Sequence, residues 1–311
     1  MKRYWTWPIA IYLFLGGLGG AILFLAMCLY FMAFPIELFI APIIVSLLAL
    51  GVGCFFLVFE LGQPTVFYRV FLRPTAIIMW GATLLSIALI ASFLLLISYW
   101  EPFAMLAGAR VPLLVVSGIS GAAIMVYTGV LLASLKAHPF WSTPALPILF
   151  FVSALSTGCA AHSLSVGKLL ESNPELVERA LGIFHSVDTG LIVFELMIVG
   201  IYLGLLIGAG NVVAKKAALK WVKGDFSLAF WLGLVACGLV IPLVFYLMGS
   251  EALGVLAAVL VLIGGLILRF LVVWTNDMML IKGQQKYHDR LPKGDEKFLQ
   301  IYKEHAEPRY E

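Results

Sequence analysis

The chain has few charged residues and no cluster of cysteines. Charged side chains make up 12% of its 311 residues and hydrophobic ones 62%, against roughly 25% and 45–50% in soluble domains. Its 4 cysteines are far apart and form no CxxC pair, the spacing that iron–sulfur and zinc sites use. We therefore expect an integral membrane protein that carries no iron–sulfur cluster and no metal site of its own.

Histidines are also scarce, at 5 in the whole chain. The absence of CxxCH excludes covalent attachment of a c-type haem. A b-type haem needs two histidines at matching depth on facing helices. Only His162 lies clearly within a hydrophobic run, although His185 could approach it at one membrane face. We expect no haem, and a b-type cytochrome anchor stays open as an alternative.

Long hydrophobic runs are what the sequence has in abundance. A helix needs about 20 apolar residues to cross a bilayer, and the period-two alternation of a membrane β-barrel is missing. We predict an all-α integral membrane protein with eight transmembrane helices. The predicted spans are 8–32, 39–59, 76–98, 111–135, 145–167, 188–210, 228–248 and 252–274.

The two halves of the chain resemble each other weakly. Val58–Leu61 in span two recurs as Val193–Leu196 in span six, as a parallel repeat of four spans would produce. We expect one membrane domain over residues 1–274, built from two four-helix bundles of about 1–137 and 138–274. A basic tail, 275–311, follows outside the membrane.

The segment 168–187 is one of two stretches long enough for structure outside the membrane. We expect it to form a helix lying on the membrane surface. Ser172 or Asn173 would cap this helix and Pro174 would open it.

The basic residues outside the spans are distributed unequally between the two membrane faces. An even number of spans puts both termini on one face, called here the terminal face; the other is the far face. Leaving out the tail, nine lysines and arginines lie at the terminal face and three at the far face. Because basic loops stay inside, we expect cytoplasmic termini in a prokaryotic cell (inner) membrane.

Polar side chains inside the spans are the candidates for function, because polar groups in the hydrocarbon core are costly. One group shares a depth near the terminal face: Tyr12, Glu60, Tyr127 and Arg269. The other lies nearer the far face: His162, Asp188 and Glu195. Asp188 and Glu195 are two helical turns apart and share one helix face, an arrangement typical of a proton path.

Structural roles for several of these residues stay open. Tyr12 could belong to the interfacial aromatic belt, and Asp188 could cap its helix. His162 could be a core histidine bonded to a backbone carbonyl, which we favour slightly. Arg269 is hardest to explain this way, because a buried arginine needs a carboxylate, a carbonyl or a ligand.

Several stretches resemble the NrfD/polysulfide reductase membrane-subunit family. The stretches are Tyr4–Gly17, the turn Glu60–Pro64, the segment from His138 to Phe150, and Asp188 to Glu195. The similarity extends over about residues 4–275. It implies a haem-free subunit of eight helices that binds menaquinone or ubiquinone and is not catalytic by itself.

The resemblance also implies partners and roles. The partners would be an iron–sulfur ferredoxin-like subunit and, through it, a molybdopterin catalytic subunit, with the lipid membrane around the chain and no nucleic acid. Tyr12 and Tyr127 match positions linked to quinone contacts. Positions linked to quinone or proton handling match Glu60, Asp188, Glu195 and Arg269. To the proton relay we add His162. A proton-coupled secondary transporter and a purely structural anchor remain alternative functions.

Overall fold

A computed structural model describes residues 7–60, 76–166, 174–208, 210–275 and 277, without the side chains of Phe59, Glu60 and Glu251. Regular structure in these ranges is helical, and eight of the helices are long and apolar enough to cross a membrane. The all-α membrane fold is thereby confirmed. The helices are α1 (Trp7–Phe31), α2 (Ile40–Glu60), α3 (Ile77–Ile97), α4 (Arg110–Ala133), α5 (Ala145–Val166), α6 (Pro174–Gly208), α7 (Val212–Val222), α8 (Ala229–Met248) and α9 (Glu251–Trp274).

The helix bounds agree with the predicted spans to within two residues, except at the start of α6. This helix runs unbroken for 35 residues, about 52 Å at 1.5 Å per residue, well beyond a core of about 30 Å. Pro174 does open it, but the predicted surface helix is wrong. No further proline follows in α6, so the segment continues directly into the membrane span. Ser172 and Asn173 lie outside the described residues.

The short helix α7 was not predicted from the sequence. It occupies the connection between the sixth and seventh spans at the terminal face. Asn211 caps it, because its side-chain oxygen accepts hydrogen bonds from Val213 N at 3.0 Å and Ala214 N at 3.2 Å. One face of α7 is buried, including Ala214 and Trp221. This helix therefore packs onto the bundle and covers part of its terminal face.

The helix α8 contains an irregularity that has an identifiable cause. Its first part, Ala229–Val240, is π-helical, and an α-helical part follows with Pro242 near its start. Within an α-helix the proline ring would meet the carbonyl of Gly238, four residues earlier. The wider π-helical turn accommodates that missing hydrogen bond.

The four spans of each half of the chain, called here a group, pack on one another and also against the other half. In the first half α1 packs on α2 and α4, and α3 packs mainly on α4. In the second half α5 packs on α6 and α9, and α8 packs on α9. The helices α1 and α5 also contact each other, so each group contributes its first helix to the centre of the molecule.

Glycines on α1 allow these helices to approach closely. A Cβ at Gly20 would lie 2.6 Å from the carbonyl oxygen of Gly121 on α4. A Cβ at Gly19 would lie 2.7 Å from Leu50 on α2, and one at Gly17 would lie 3.3 Å from Ala154 on α5. The glycines therefore serve tight packing, and at these three positions protein atoms fill the space.

Candidate functional site

Two phenol side chains come together in the first group of helices. Tyr12 of α1 and Tyr127 of α4 are 2% and 8% exposed. Tyr12 lies within electrostatic range of both Tyr127 and Cys54 of α2. No described residue forms a hydrogen bond with either hydroxyl group, so both phenols are available to a ligand. The sequence predicted a shared depth for them, and the structure adds that they are neighbours.

Glycines on two other helices make room for these rings. The Tyr127 ring rests directly on Gly81 of α3, where a Cβ would overlap the ring. The Tyr12 ring rests on Gly53 of α2, where a Cβ would lie 3.7 Å from the ring. The position of Tyr127 therefore depends on the missing side chain at Gly81, and replacing Gly81 must displace Tyr127, whereas a Cβ at Gly53 would make only an ordinary contact with Tyr12.

Glu60 is the last residue of α2, at the terminal face. It follows Cys54 by six residues, so its backbone lies about 9 Å beyond the Tyr12 level along the helix axis. Its side chain and the turn that continues to Pro64 lie outside the described residues.

The two carboxylates of α6 are buried, and each lies beside a serine of α5. Asp188 is 1% exposed, and its Oδ1 accepts a hydrogen bond of 2.5 Å from the Ser156 hydroxyl. Glu195 is 3% exposed and lies next to the Ser153 hydroxyl. Ser153 and Ser156 are three residues apart, so they follow the two carboxylates along the interface between α5 and α6.

Arg269 lies at the inner end of this row. Its Nη2 donates a hydrogen bond of 3.1 Å to the Phe150 carbonyl of α5, and its guanidinium carbon lies 4.2 Å from the centre of the Phe150 ring. It interacts electrostatically with Glu195, although the described parts of the two residues form no direct salt bridge. Its Nε and Nη1 have no partner among the described residues.

These residues form what we call the polar column, defined as Ser153, Ser156, Asp188, Glu195 and Arg269. It begins at Asp188, which lies fourteen residues inside α6, deeper than the sequence predicted, and level with Ser156 in the middle of α5. From there it extends towards the terminal face. At Arg269 it reaches α1, because Nη2 lies 3.7 Å from the position of a Cβ at Gly17. Gly17 is five residues from Tyr12, about 7.5 Å along α1. The column thus leads towards the phenols.

His162 lies beside the column rather than in it. Its Nε2 is 3.0 Å from the Ile22 carbonyl of α1, which confirms the bond to a backbone carbonyl that the sequence favoured. Its ring stacks on Phe184 of α6 with centroids 4.7 Å apart. His185 instead stacks on Tyr246 of α8. The two histidines therefore lie on different sides of α6 and do not face each other.

Sequence reasoning missed Tyr246, Ser153 and Ser156 as members of this region. The Tyr246 hydroxyl lies next to Asp188, yet neither it nor Asp188 Oδ2 has a well-formed hydrogen bond within the described part of the chain. A signal for the serines was present, because two hydroxyl groups one turn apart lie on one face of a membrane span. For Tyr246 the sequence carried no signal, since its helix position alone does not show what it faces.

The polar side chains of the described residues are suited to exchanging protons and to donating hydrogen bonds to carbonyl oxygens. Across the described ranges no group of three or more His, Cys, Asp or Glu side chains is arranged to hold a metal ion. The phenols of Tyr12 and Tyr127 can donate hydrogen bonds to a ligand carbonyl, and the carboxylates of the polar column can accept and release protons.

Comparison with known proteins identifies relatives over nearly the whole length. The chain is 28% identical over 300 residues to the C subunit of the polysulfide reductase of Wolinella succinogenes, covering 88% of this chain and 94% of that protein. It is 29% identical over 310 residues to the protein NrfD of Escherichia coli K12, covering 88% and 95%. It is 27% identical to an NrfD homologue of Haemophilus influenzae over 312 residues, covering 88% and 94%.

The model of the polysulphide reductase NrfD family matches residues 1–280, which include all eight membrane-spanning helices. The match covers both the phenol pair and the polar column. This chain belongs to the NrfD polysulphide reductase family.

Proposed function

We propose that the chain is the quinone-binding membrane subunit of a respiratory oxidoreductase. It exchanges electrons between menaquinone or ubiquinone in the membrane and an iron–sulfur partner subunit, which passes them to or from a molybdopterin catalytic subunit. The single observation that carries the proposal is the pair of buried, adjacent phenols, Tyr12 and Tyr127, whose hydroxyls are unpaired among the described residues.

The chemistry of a quinone fits this pair. A quinone ring carries two carbonyl oxygens that accept hydrogen bonds, and phenol hydroxyls donate them. Reduction of the ring takes two electrons and two protons and gives the quinol; oxidation releases the same number of each. Because the electrons leave through the partner subunit, the chain itself must hold the ring and deliver or remove protons.

The polar column supplies a route for those protons. Asp188, Glu195 and Arg269 occupy successive levels towards the terminal face, and Arg269 contacts α1 one to two turns from Tyr12. Glu60, at the terminal end of α2, is the candidate for proton exchange close to the ring. His162 lies next to the column through Phe184 and orders α1 against α5 through its bond to Ile22.

The space for the quinone differs from the expectation based on the glycines of α1. A surface of small residues could in principle leave room for a flat ring, but α2, α4 and α5 pack against these glycines. The ring instead has to reach the phenols from the side of α2 and α3, where Gly53 and Gly81 lie.

The proposed partner subunits are supported by the name of one relative and by the membrane-spanning structure of this chain. The Wolinella protein is named by a letter as one component of a polysulfide reductase, and such a name implies further subunits. The described residues of the present protein are helical and membrane-spanning, so the redox centres would belong to those subunits. We propose an inner-membrane location with cytoplasmic termini, on the basis of the basic loops at the terminal face.

A secondary transporter would account for the same buried charges but fits the helices less well. Such proteins use broken helices at matching positions in the two halves. Here α8 has a π-helical stretch, Ala229–Val240, whereas its counterpart α3 is a regular α-helix, Ile77–Ile97. The interruption is therefore not repeated within the described helices.

The proposal is tested by the change Tyr127→Phe in the purified complex. The substitution removes one hydroxyl and keeps the ring that fills the space above Gly81. Quinol-dependent turnover with the terminal acceptor should be lost, while electron transfer from an artificial donor to the partner subunits should be unchanged. Tyr99→Phe is the matched control, because Tyr99 lies beyond the end of α3 at the far face.

Normal quinol-dependent turnover in Tyr127→Phe, and in Tyr12→Phe as well, would contradict the assignment of the site. Loss of turnover in the Tyr99→Phe control to the same degree would show that the assay reports general damage. The comparison of the three variants therefore separates the phenol pair from the rest of the chain.

A further inference from the structure

Aromatic side chains close the second group of helices at the terminal face. We call this cluster the aromatic plug and define it as Phe140, Trp141, Tyr202, Trp221 and Phe230. Four of the five are 0% exposed and Phe230 is 3% exposed. They come from the connection before α5 and from α6, α7 and α8, so four parts of the chain meet here.

Four of the five rings of the plug contact one another. The centroid of Phe140 lies 5.3 Å from that of Tyr202 and 5.2 Å from that of Trp221. Trp221 in turn lies 5.5 Å from Phe230. Ring pairs at these distances attract beyond the burial of their area. These four rings therefore form one continuous apolar layer within the second group of helices.

The polar atoms of the plug are largely used by the protein itself. Trp221 donates a hydrogen bond of 2.7 Å to the Thr275 hydroxyl, and Trp141 donates one of 2.8 Å to the Val272 carbonyl. The Tyr202 hydroxyl donates a bond of 2.5 Å to the Phe140 carbonyl. The two tryptophan bonds tie the plug to the end of α9. The nearby Thr143 hydroxyl is an exception, with no well-formed bond to a described residue.

The region on the far-face side of the plug instead contains several buried polar atoms that the described residues leave without a hydrogen bond. Buried polar atoms without a partner among the described residues cluster along the polar column and beside it: Ser153 Oγ, Asp188 Oδ2, Tyr246 OH, and Arg269 Nε and Nη1. Buried polar groups of this kind are normally satisfied by ordered water. The column therefore suits a chain of water molecules, and the plug does not.

The boundary between the two regions is sharp on both α6 and α9. Asp188, Glu195 and Tyr202 follow each other at intervals of seven residues on one face of α6, about 10.5 Å apart. Tyr202 thus occupies the next level after the two carboxylates. On α9 the plug contact at Val272 lies one turn beyond Arg269. On α6 and α9 the acidic and basic side chains of the column end before this layer, while the buried His138 stacks on Trp141 within the plug, with ring centroids 4.2 Å apart.

We propose that the aromatic plug is a proton barrier that closes the polar column towards the terminal face. Protons that enter at Asp188 can then leave only sideways, past Arg269 and α1 towards the phenols, and cannot cross the membrane without the redox reaction. The inference rests on the proposed function in so far as the column carries protons, but it assigns a separate role to the plug.

The test measures passive proton flux through the purified complex in proteoliposomes that contain no quinone. A potassium gradient with valinomycin provides the driving force, and a pH-sensitive dye inside the vesicles reports the flux. Trp221→Ala removes the residue that contacts both Phe140 and Phe230 and leaves space for water. We expect the flux to rise about tenfold over the unsubstituted complex, which corresponds to a barrier lower by about 1.4 kcal/mol.

A second substitution shows whether the flux uses the column. In the double variant Trp221→Ala with Glu195→Gln, the flux should return to the level of the unsubstituted complex. Trp100→Ala is the control, because Trp100 follows α3 at the far face, away from the plug, and is 65% exposed. It should leave the flux unchanged. Phe140→Ala opens the same layer from another element and should behave as Trp221→Ala does.

Two results would overturn the proposal. One is an unchanged flux in both Trp221→Ala and Phe140→Ala; the other is a raised flux that Glu195→Gln does not reduce. Because the vesicles contain no quinone, the outcome does not depend on Tyr12 or Tyr127. A failure of the quinone assignment would appear only in the turnover assay.

Discussion

The substitution Gly81→Ala tests whether the position of the Tyr127 phenol controls quinol-dependent turnover. A Cβ at this position would overlap the Tyr127 ring. Non-bonded carbon atoms pack at about 3.5–4.0 Å, so the ring or its helix must move by about 1 Å or more. A misplacement of about 1 Å in a reactive site can lower a rate by about 100-fold. We expect quinol-dependent turnover to fall by about this factor.

The same substitution should also reduce stability modestly. Overpacking a buried contact costs about 1–3 kcal/mol, because α3 and α4 must separate or adopt strained rotamers. Thermal unfolding of the complex in detergent measures this effect, and quinol oxidation in proteoliposomes measures turnover. Gly200→Ala on α6 is the control, because a Cβ there meets no heavy atom within 4 Å. It should change neither quantity.

A third variant distinguishes the effect of overpacking on stability from the effect of the Tyr127 hydroxyl group on turnover. Adding Tyr127→Ala to Gly81→Ala removes the overlap, so unfolding should recover towards that of the Tyr127→Ala single variant, while turnover stays low. Turnover at the level of the unsubstituted protein in Gly81→Ala would refute the reasoning, because the phenol would then have moved without consequence.

Two further predictions concern the polar column. Ser156→Ala should lower the free energy of unfolding by about 1–3 kcal/mol, because it leaves Asp188 Oδ1 buried and unpaired; Ser186→Ala, whose hydroxyl is exposed, should have little effect in the same melting experiment. Arg269→Met should lower the free energy of unfolding by about 1–3 kcal/mol, because it leaves the buried Phe150 carbonyl without its hydrogen bond and removes the positive charge that interacts with the buried Glu195. Adding Glu195→Gln should restore part of that loss, and no restoration in the thermal melts would show that the two residues are not coupled.

The membrane spans could be predicted from the sequence because hydrophobicity over about 20 residues determines them. The predicted span 252–274, for example, is α9 (Glu251–Trp274). The prediction of a surface helix over 168–187 was wrong because a capping residue at the start of a helix does not determine where the helix ends. Its continuation into α6 depends on packing against α5, through residues such as Phe184 and Asp188, and on the absence of a later breaker.

The helix α7 carried a signal that was overlooked. Asn211 precedes a repeat of small and aromatic residues at helical spacing, Ala214, Ala217, Ala218 and Trp221, while the lysines between them suggested a basic loop. A capping residue before a periodic apolar face predicts a helix even when the segment is short. The plug around Trp221 could not be predicted, because its members come from four separate parts of the chain.

The candidate site was predictable in its residues but not in its pairings. Asp188, Glu195 and Arg269 could be identified because an ionisable residue inside a membrane span is costly and is therefore a candidate for function. The sequence grouped Arg269 with the phenols by depth. The structure adds that its charged neighbour among the described residues is Glu195, which only the packing of both α6 and α9 against α5 could reveal.

The central claim is that this protein binds one quinone at Tyr12 and Tyr127. The most direct measurement is a fluorescence titration of the purified complex with a quinol-analogue inhibitor. We expect one saturable site per membrane subunit. We also expect Tyr12→Phe with Tyr127→Phe to weaken binding by about 5- to 150-fold, from the loss of two hydrogen bonds of about 0.5–1.5 kcal/mol each. Saturable binding of equal affinity in the double variant, or none in the unsubstituted complex, would contradict this claim.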